Sequence, residues 1–158
     1  MLHFNKYKCL HFLTLFSLDS GEYMNPTVVI LGARGSVPIS RQDSLRYGGA
    51  TLCIFMRLAG QPVILDTGTG MLDLPLCLSA DDTDIPILLS HPHADHLLGI
   101  PMCPSLFESH RSFSLYAKER NGLTGEAMLK ALMSPPLWPI MPEEMASALS
   151  YQIGRAHV

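Results

Sequence analysis

The chain has 158 residues, 47% of them hydrophobic, which is enough for one domain with a substantial core and too little for two. A formal net charge of −3 gives no global basic field, so charge does not point to nonspecific binding of nucleic acid or of a membrane surface. The four cysteines, Cys9, Cys53, Cys77 and Cys103, show no CxxC spacing; they exclude a zinc ribbon or disulfide scaffold and read as reduced, mostly buried thiols.

In chain order, residues 1–23 carry a short apolar run, CLHFLTLFSL, behind Lys6 and Lys8, the outline of a signal peptide. His11, Thr14 and Ser17 dilute that run and no small-x-small cleavage site follows, so the segment is read as an N-terminal extension with Met24 as the expected start. No stretch approaches the roughly 18 to 20 apolar residues of a membrane span, and the cytoplasm is the expected compartment. PTVVILG, Pro26 to Gly32, predicts a buried strand, and a loop rich in Gly, Ser and Arg follows. Thr51–Leu58 and Gln61–Gly68 predict a hairpin turning on Ala59 and Gly60. MLDLPLCLSA is ambiguous, with Pro75 interrupting any long helix. Ile85–Ser90 predicts a short buried strand that delivers the chain to His91. The apolar segment after the histidines is expected to turn into a helix, shortened by Pro101 and Pro104. Ser112–Ala117 predicts a strand. Leu123–Met133 predicts a helix on the spacing of Leu123, Ala127, Met128, Ala131 and Leu132, stopped by Pro135 and Pro136. Pro142, Glu143 and Glu144 suit the first turn of a short helix. Hairpins first and strand–helix alternation later predict mixed α/β layers.

Local charge is uneven. Residues 24–60 hold Arg34, Arg41, Arg46 and Arg57 against Asp43, whereas residues 61–90 hold Asp66, Asp73, Asp81, Asp82 and Asp84 and no basic residue. The arginines read either as a solvated surface or as partners of an anionic substrate. Arg34 with the N–H groups of Gly35 and Ser36 reads either as an anion-binding nest or as a plain tight turn. DTGTGML lacks the third glycine of a dinucleotide fingerprint, and GARGS lacks the G-K-[ST] of a P-loop.

The chemistry concentrates in HPHADH, His91 to His96. His91 and His93, spaced i, i+2 after a strand, point the same way in an extended chain and can share one metal ion. Asp95 and His96 follow where the chain turns and can point at a second ion. Two ions about 3.5–4 Å apart suit hydrolysis by an activated water. Zinc suits three histidines, and Mn2+ or Fe2+ also accepts a mixture of histidine and carboxylate.

HPHADH fits the HxHxDH signature of the metallo-β-lactamase superfamily, and ILDTGTG is similar to that fold's strand ending in Asp-x-Gly. LGARGSVP and RYGGATLCIFM resemble the opening strands of its ribonuclease Z-like and phosphodiesterase-like members, with Ala50 where their pattern usually has asparagine. The resemblance runs from Pro26 to about Gln152. It implies an α/β fold, the αββα sandwich, of which residues 24–152 would be the N-terminal half; residues 153–158, IGRAHV, read as a translated sequencing adapter. It further implies a metal-dependent hydrolase holding two zinc ions through His91, His93, Asp95 and His96. Asp95 and Asp66 would be the catalytic carboxylates, Asp66 by orienting a metal-bound histidine. The implied substrate is a phosphodiester in a small molecule, nucleotide or RNA; no membrane partner is implied, and a homodimer is compatible. The family's third histidine, bridging aspartate and last histidine would lie downstream, yet after His96 only His110 and His157 occur, and no aspartate follows Asp95. This chain alone is therefore expected to be inactive and to expose core surface. A thioesterase, glyoxalase-like or lactamase activity, or a noncatalytic metal-binding fragment, are the alternatives.

Overall fold

The computed structural model describes residues 12–13, 27–44 and 46–153. The readings placed on Cys9, on Met24 as a start, on residues 154–158 and on most of the N-terminal extension lie outside the described residues.

Seven strands form one mixed sheet: β1 (Phe12–Leu13), β2 (Thr27–Gly32), β3 (Cys53–Leu58), β4 (Gln61–Leu65), β5 (Asp84–Leu89), β6 (Ser112–Ala117) and β7 (Ala148–Ile153). Their order across the sheet is their order in the chain. The first three pairings are antiparallel and the last three parallel. The β3–β4 hairpin turns on Ala59 and Gly60, both at positive φ, as a two-residue turn matched to strand twist requires. Two strands were not foreseen. Phe12–Leu13 lies in the segment read as an extension, and β7 carries Leu149 and Tyr151 half-buried between polar Ser150 and Gln152, a period-2 pattern.

The connections between the parallel strands are mostly single turns. Thr69–Leu76 is a 3-10 helix with Pro75 inside it, which settles the ambiguous segment. After the histidines the expected helix is replaced by three short 3-10 turns, Ala94–His96, Ile100–Met102 and Pro104–Phe107. Pro101 and Pro104 donate no N–H, so α-helical bonding cannot propagate through this stretch. The α-helix α1, Gly125–Leu132, is shorter than its apolar spacing predicts, because Leu123 is held in a bridge with Arg120 and Thr124 caps the helix. The Thr124 hydroxyl accepts from the Ala127 N–H at 3.2 Å. Pro142–Glu144 forms one more 3-10 turn. No helix among the described residues is long and apolar enough to cross a membrane.

Right-handed crossovers between parallel strands added in one direction all fall on the same face of the sheet. The core agrees: Met71, Leu74, Ile100, Leu106, Leu129 and Met133, from the crossovers and α1, pack with the strand row Val29, Phe55, Ile64, Ile87 and Leu115. The opposite face is apolar too. Its register row runs Ile30, Ile54, Leu65, Leu88 and Tyr116, and Ile30, Leu88 and Tyr116 are 41%, 42% and 39% exposed.

Candidate metal centre

Parallel pairing sets Leu65 beside Leu88, so β4 and β5 end together, and the residues that follow them meet. Asp66 leaves β4 at φ +56°, a left-handed conformation that aspartate tolerates better than most residues. Its N–H still donates to the Leu88 carbonyl at 3.0 Å. Its buried carboxylate thereby faces Ser90: the Ser90 N–H donates to Oδ1 at 2.8 Å, and the hydroxyl lies 2.9 and 2.8 Å from Oδ1 and Oδ2.

The turn that carries the donors rests on main chain. The Thr67 N–H and hydroxyl both donate to the His96 carbonyl, at 2.9 and 2.6 Å, and the Gly99 N–H returns a bond to the Thr67 carbonyl at 2.8 Å. This close crossing admits no side chain at two positions. A Cβ on Gly68 would stand 2.2 Å from the Asp95 carbonyl oxygen, and one on Gly99 would stand 2.1 Å from that of Gly68.

On this floor the four sequence-predicted ligands come together as two pairs. His91 Nε2 lies 3.1 Å from His93 Nδ1, and His96 Nε2 lies 3.5 Å from Asp95 Oδ2. Two nitrogens on one tetrahedral zinc, each at 2.0–2.1 Å, stand about 3.3 Å apart, so each pair has the spacing of two ligands on one ion. The rings are mutually close, with His91 centred 4.5 Å from His93 and 4.0 Å from His96. Among the described residues no group of three or more His, Cys, Asp or Glu is arranged to hold a metal ion, so the residues present fit a metal only in part.

Electrostatics favours the ligand forms. The Ser36 N–H donates to Asp95 Oδ2 at 2.7 Å and is the main reason the Asp95 carboxyl is held below its ordinary value. Desolvation, followed by the neighbouring rings of His96 and His93, lowers the pKa of His91 and favours the neutral imidazole that a metal requires. Behind the pairs, Asp66 Oδ2 lies 3.0 Å from His96 Nδ1. The sequence is compatible with either a nest or a plain turn in the Gly35–Ser36 loop. It is a tight turn, closed by the Val37 N–H on the Gly35 carbonyl at 2.9 Å with Ser36 at φ +68°, and its free N–H points at a protein carboxylate.

Other candidates lie elsewhere. His110 is exposed beside Glu108, just before β6 and hence at the opposite end of the parallel strands. Arg57 grips Asp82 through two bonds of 2.8 and 2.7 Å, also at that far end, so it is not an open anion partner. Cys53 and Cys103 are buried, and burial pushes the Cys103 thiol up to about 11, leaving it inert at neutral pH. Residue reasoning missed Thr67 and Ser90, and read the Ser36 N–H toward an outside anion rather than Asp95. Ser90 alone had a local signal, a hydroxyl directly before the first histidine.

No family model matches the chain, and no curated protein does. Among solved structures, the fold is similar to one described as the crystal structure of a new diphosphatase from the PhnP family, with a TM-score of 0.54 at 20% identity. That likeness is one of fold. It covers 82% of this chain and 51% of the other, so the chain spans about half the length of that diphosphatase.

Proposed function

We propose that this chain is the N-terminal half of a metal-dependent hydrolase with the metallo-β-lactamase sandwich fold, acting on phosphodiester bonds in the manner of the ribonuclease Z-like members. The observation that carries the reading is the pair of donor pairs at the ends of β4 and β5, the position where open α/β sheets place their sites. The fold likeness to a diphosphatase and the half-length coverage support it.

In this reading His91 Nε2 and His93 Nδ1 would hold one ion, and Asp95 Oδ2 and His96 Nε2 a second, zinc or else Mn2+ or Fe2+. Such ions, when bound, supply Lewis acidity and lower the pKa of a water to about 7. The chain's own residues prepare the ligands. Asp66 orients His96 by accepting at Nδ1, which leaves the Nε2 lone pair free, and the Ser36 N–H fixes the Asp95 carboxylate. The missing donors would come from a second half whose sheet stacks on the open apolar face.

Zinc titration of the 158-residue chain is expected to show weak binding, reduced at least about tenfold by His93→Ala. In a chain carrying both halves, His93→Ala is expected to abolish hydrolysis of bis(p-nitrophenyl) phosphate, and an unchanged rate would sink the proposal. Parallel assays on thioester substrates separate the other hydrolases of this fold. One observation favours a noncatalytic metal-binding role, the lack of any three-donor group among the described residues. Absence of turnover in the two-half chain, with zinc bound, would select that reading.

A further inference from the structure

Ser90 is absent from the proposed ligand set, yet its hydroxyl sits between Asp66 and two histidines. It lies 2.9 and 2.8 Å from the two Asp66 oxygens, 2.9 Å from His91 Nδ1 and 3.4 Å from His96 Nδ1. A hydroxyl has one proton and two lone pairs, whereas a carboxylate only accepts. Were the Ser90 proton turned toward His91, its lone pairs would face both oxygens of the buried Asp66 carboxylate at under 3 Å, a repulsive contact. The proton therefore belongs to Asp66, and the oxygen is left to accept at His91 Nδ1. That nitrogen must carry the ring proton, and the lone pair of neutral His91 falls on Nε2, the atom 3.1 Å from His93 Nδ1.

We propose that Ser90 is a positioning residue that sets the His91 tautomer. The single buried carboxylate of Asp66 thus fixes two rings, His96 by direct contact at 3.0 Å and His91 through the Ser90 hydroxyl. Both rings then present Nε2 as the free nitrogen. The use of that tautomer rests on the metal reading above; its existence in the metal-free chain does not.

The test is the ring-nitrogen spectrum of the complete, metal-free 158-residue chain, by long-range proton–nitrogen correlation at a pH where the histidines are neutral. Wild-type His91 is expected as the Nδ1–H form. Ser90→Ala should shift it toward Nε2–H, and Ser90→Thr, which keeps the hydroxyl, should restore it. Wild-type His91 found as Nε2–H overturns the proposal, as does a folded Ser90→Ala chain whose His91 stays Nδ1–H. Should Ser90→Ala not fold, the wild-type spectrum still decides. In parallel, Ser90→Ala should weaken zinc binding about tenfold and Ser90→Thr should not. If zinc binds none of these chains, the metal reading fails while the spectra still judge the tautomer.

Discussion

Ile87 and Leu88 are neighbours on β5 with opposite circumstances: Ile87 is fully buried under the crossovers, whereas Leu88, pointing to the other face, is 42% exposed. A milder contrast separates buried Phe55 from half-buried Ile54 and buried Ile64 from half-buried Leu65. Composition does not distinguish the two faces, since both are written in Val, Ile, Leu and Met. Topology does, because parallel strands added in one direction send every crossover to one side. Strands apolar on both faces are the mark of a sheet meant to be covered twice. The open face is thus an apolar surface that a second layer would suit.

The largest expected effect comes from truncating both members of this pair. Ile87→Ala should cost about 2–5 kcal/mol in urea unfolding, and Leu88→Ala no more than about 0.5 kcal/mol. Equal costs would break the comparison; a large Leu88 cost appearing only in a longer chain would sharpen it by locating the cover. Next comes the charge pair at the rim of the covered face. Arg57→Met leaves the mostly buried Asp82 carboxylate without its two side-chain donors and should cost about 1–3 kcal/mol. The Arg57 guanidinium holds the Asp82 carboxyl well below the usual carboxylate range. Its contribution is therefore complete above the unfolded value of about 3.9 and is lost as pH falls below it. Acid titration of stability should lose that step in Arg57→Met. A charge on the open face, Leu88→Lys, should leave stability nearly unchanged and reduce self-association in sedimentation velocity, since it interrupts a continuous apolar row. Smallest of all, Lys130→Met on the outside of α1 breaks contacts with Glu126 and Glu143 that water already screens, and the unfolding midpoint should not move measurably.

The covered face also explains what was legible in the sequence. The apolar runs of β2 to β6 and the hairpin on Ala59–Gly60 could be read locally, because apolar side chains on both faces and a two-residue turn each leave a short-range mark. So could the close approach of His91 to His93 and of Asp95 to His96, whose spacing follows from an extended chain leaving a strand. The 3-10 turns after the histidines could not, since the apolar pattern there suits either helix and only the prolines decide. β7 was overlooked because only Leu149 and Tyr151 mark its alternation, too few apolar positions to announce a strand. The contact of Ser36 with Asp95 spans 59 residues and depends on a left-handed turn in a loop, which no spacing announces.

Because the strands lie in the sheet in the order they occur in the chain, the fold suits vectorial synthesis. Each strand from β2 to β7 leaves the ribosome with its neighbour already made, so no pairing waits for a later segment and closure distances stay short. Ser36, Asp66, Thr67, Ser90 and the four donors all precede Gly99. The turn can thus be complete before β6 and β7 are translated, and the last two strands extend an edge of the sheet beyond it.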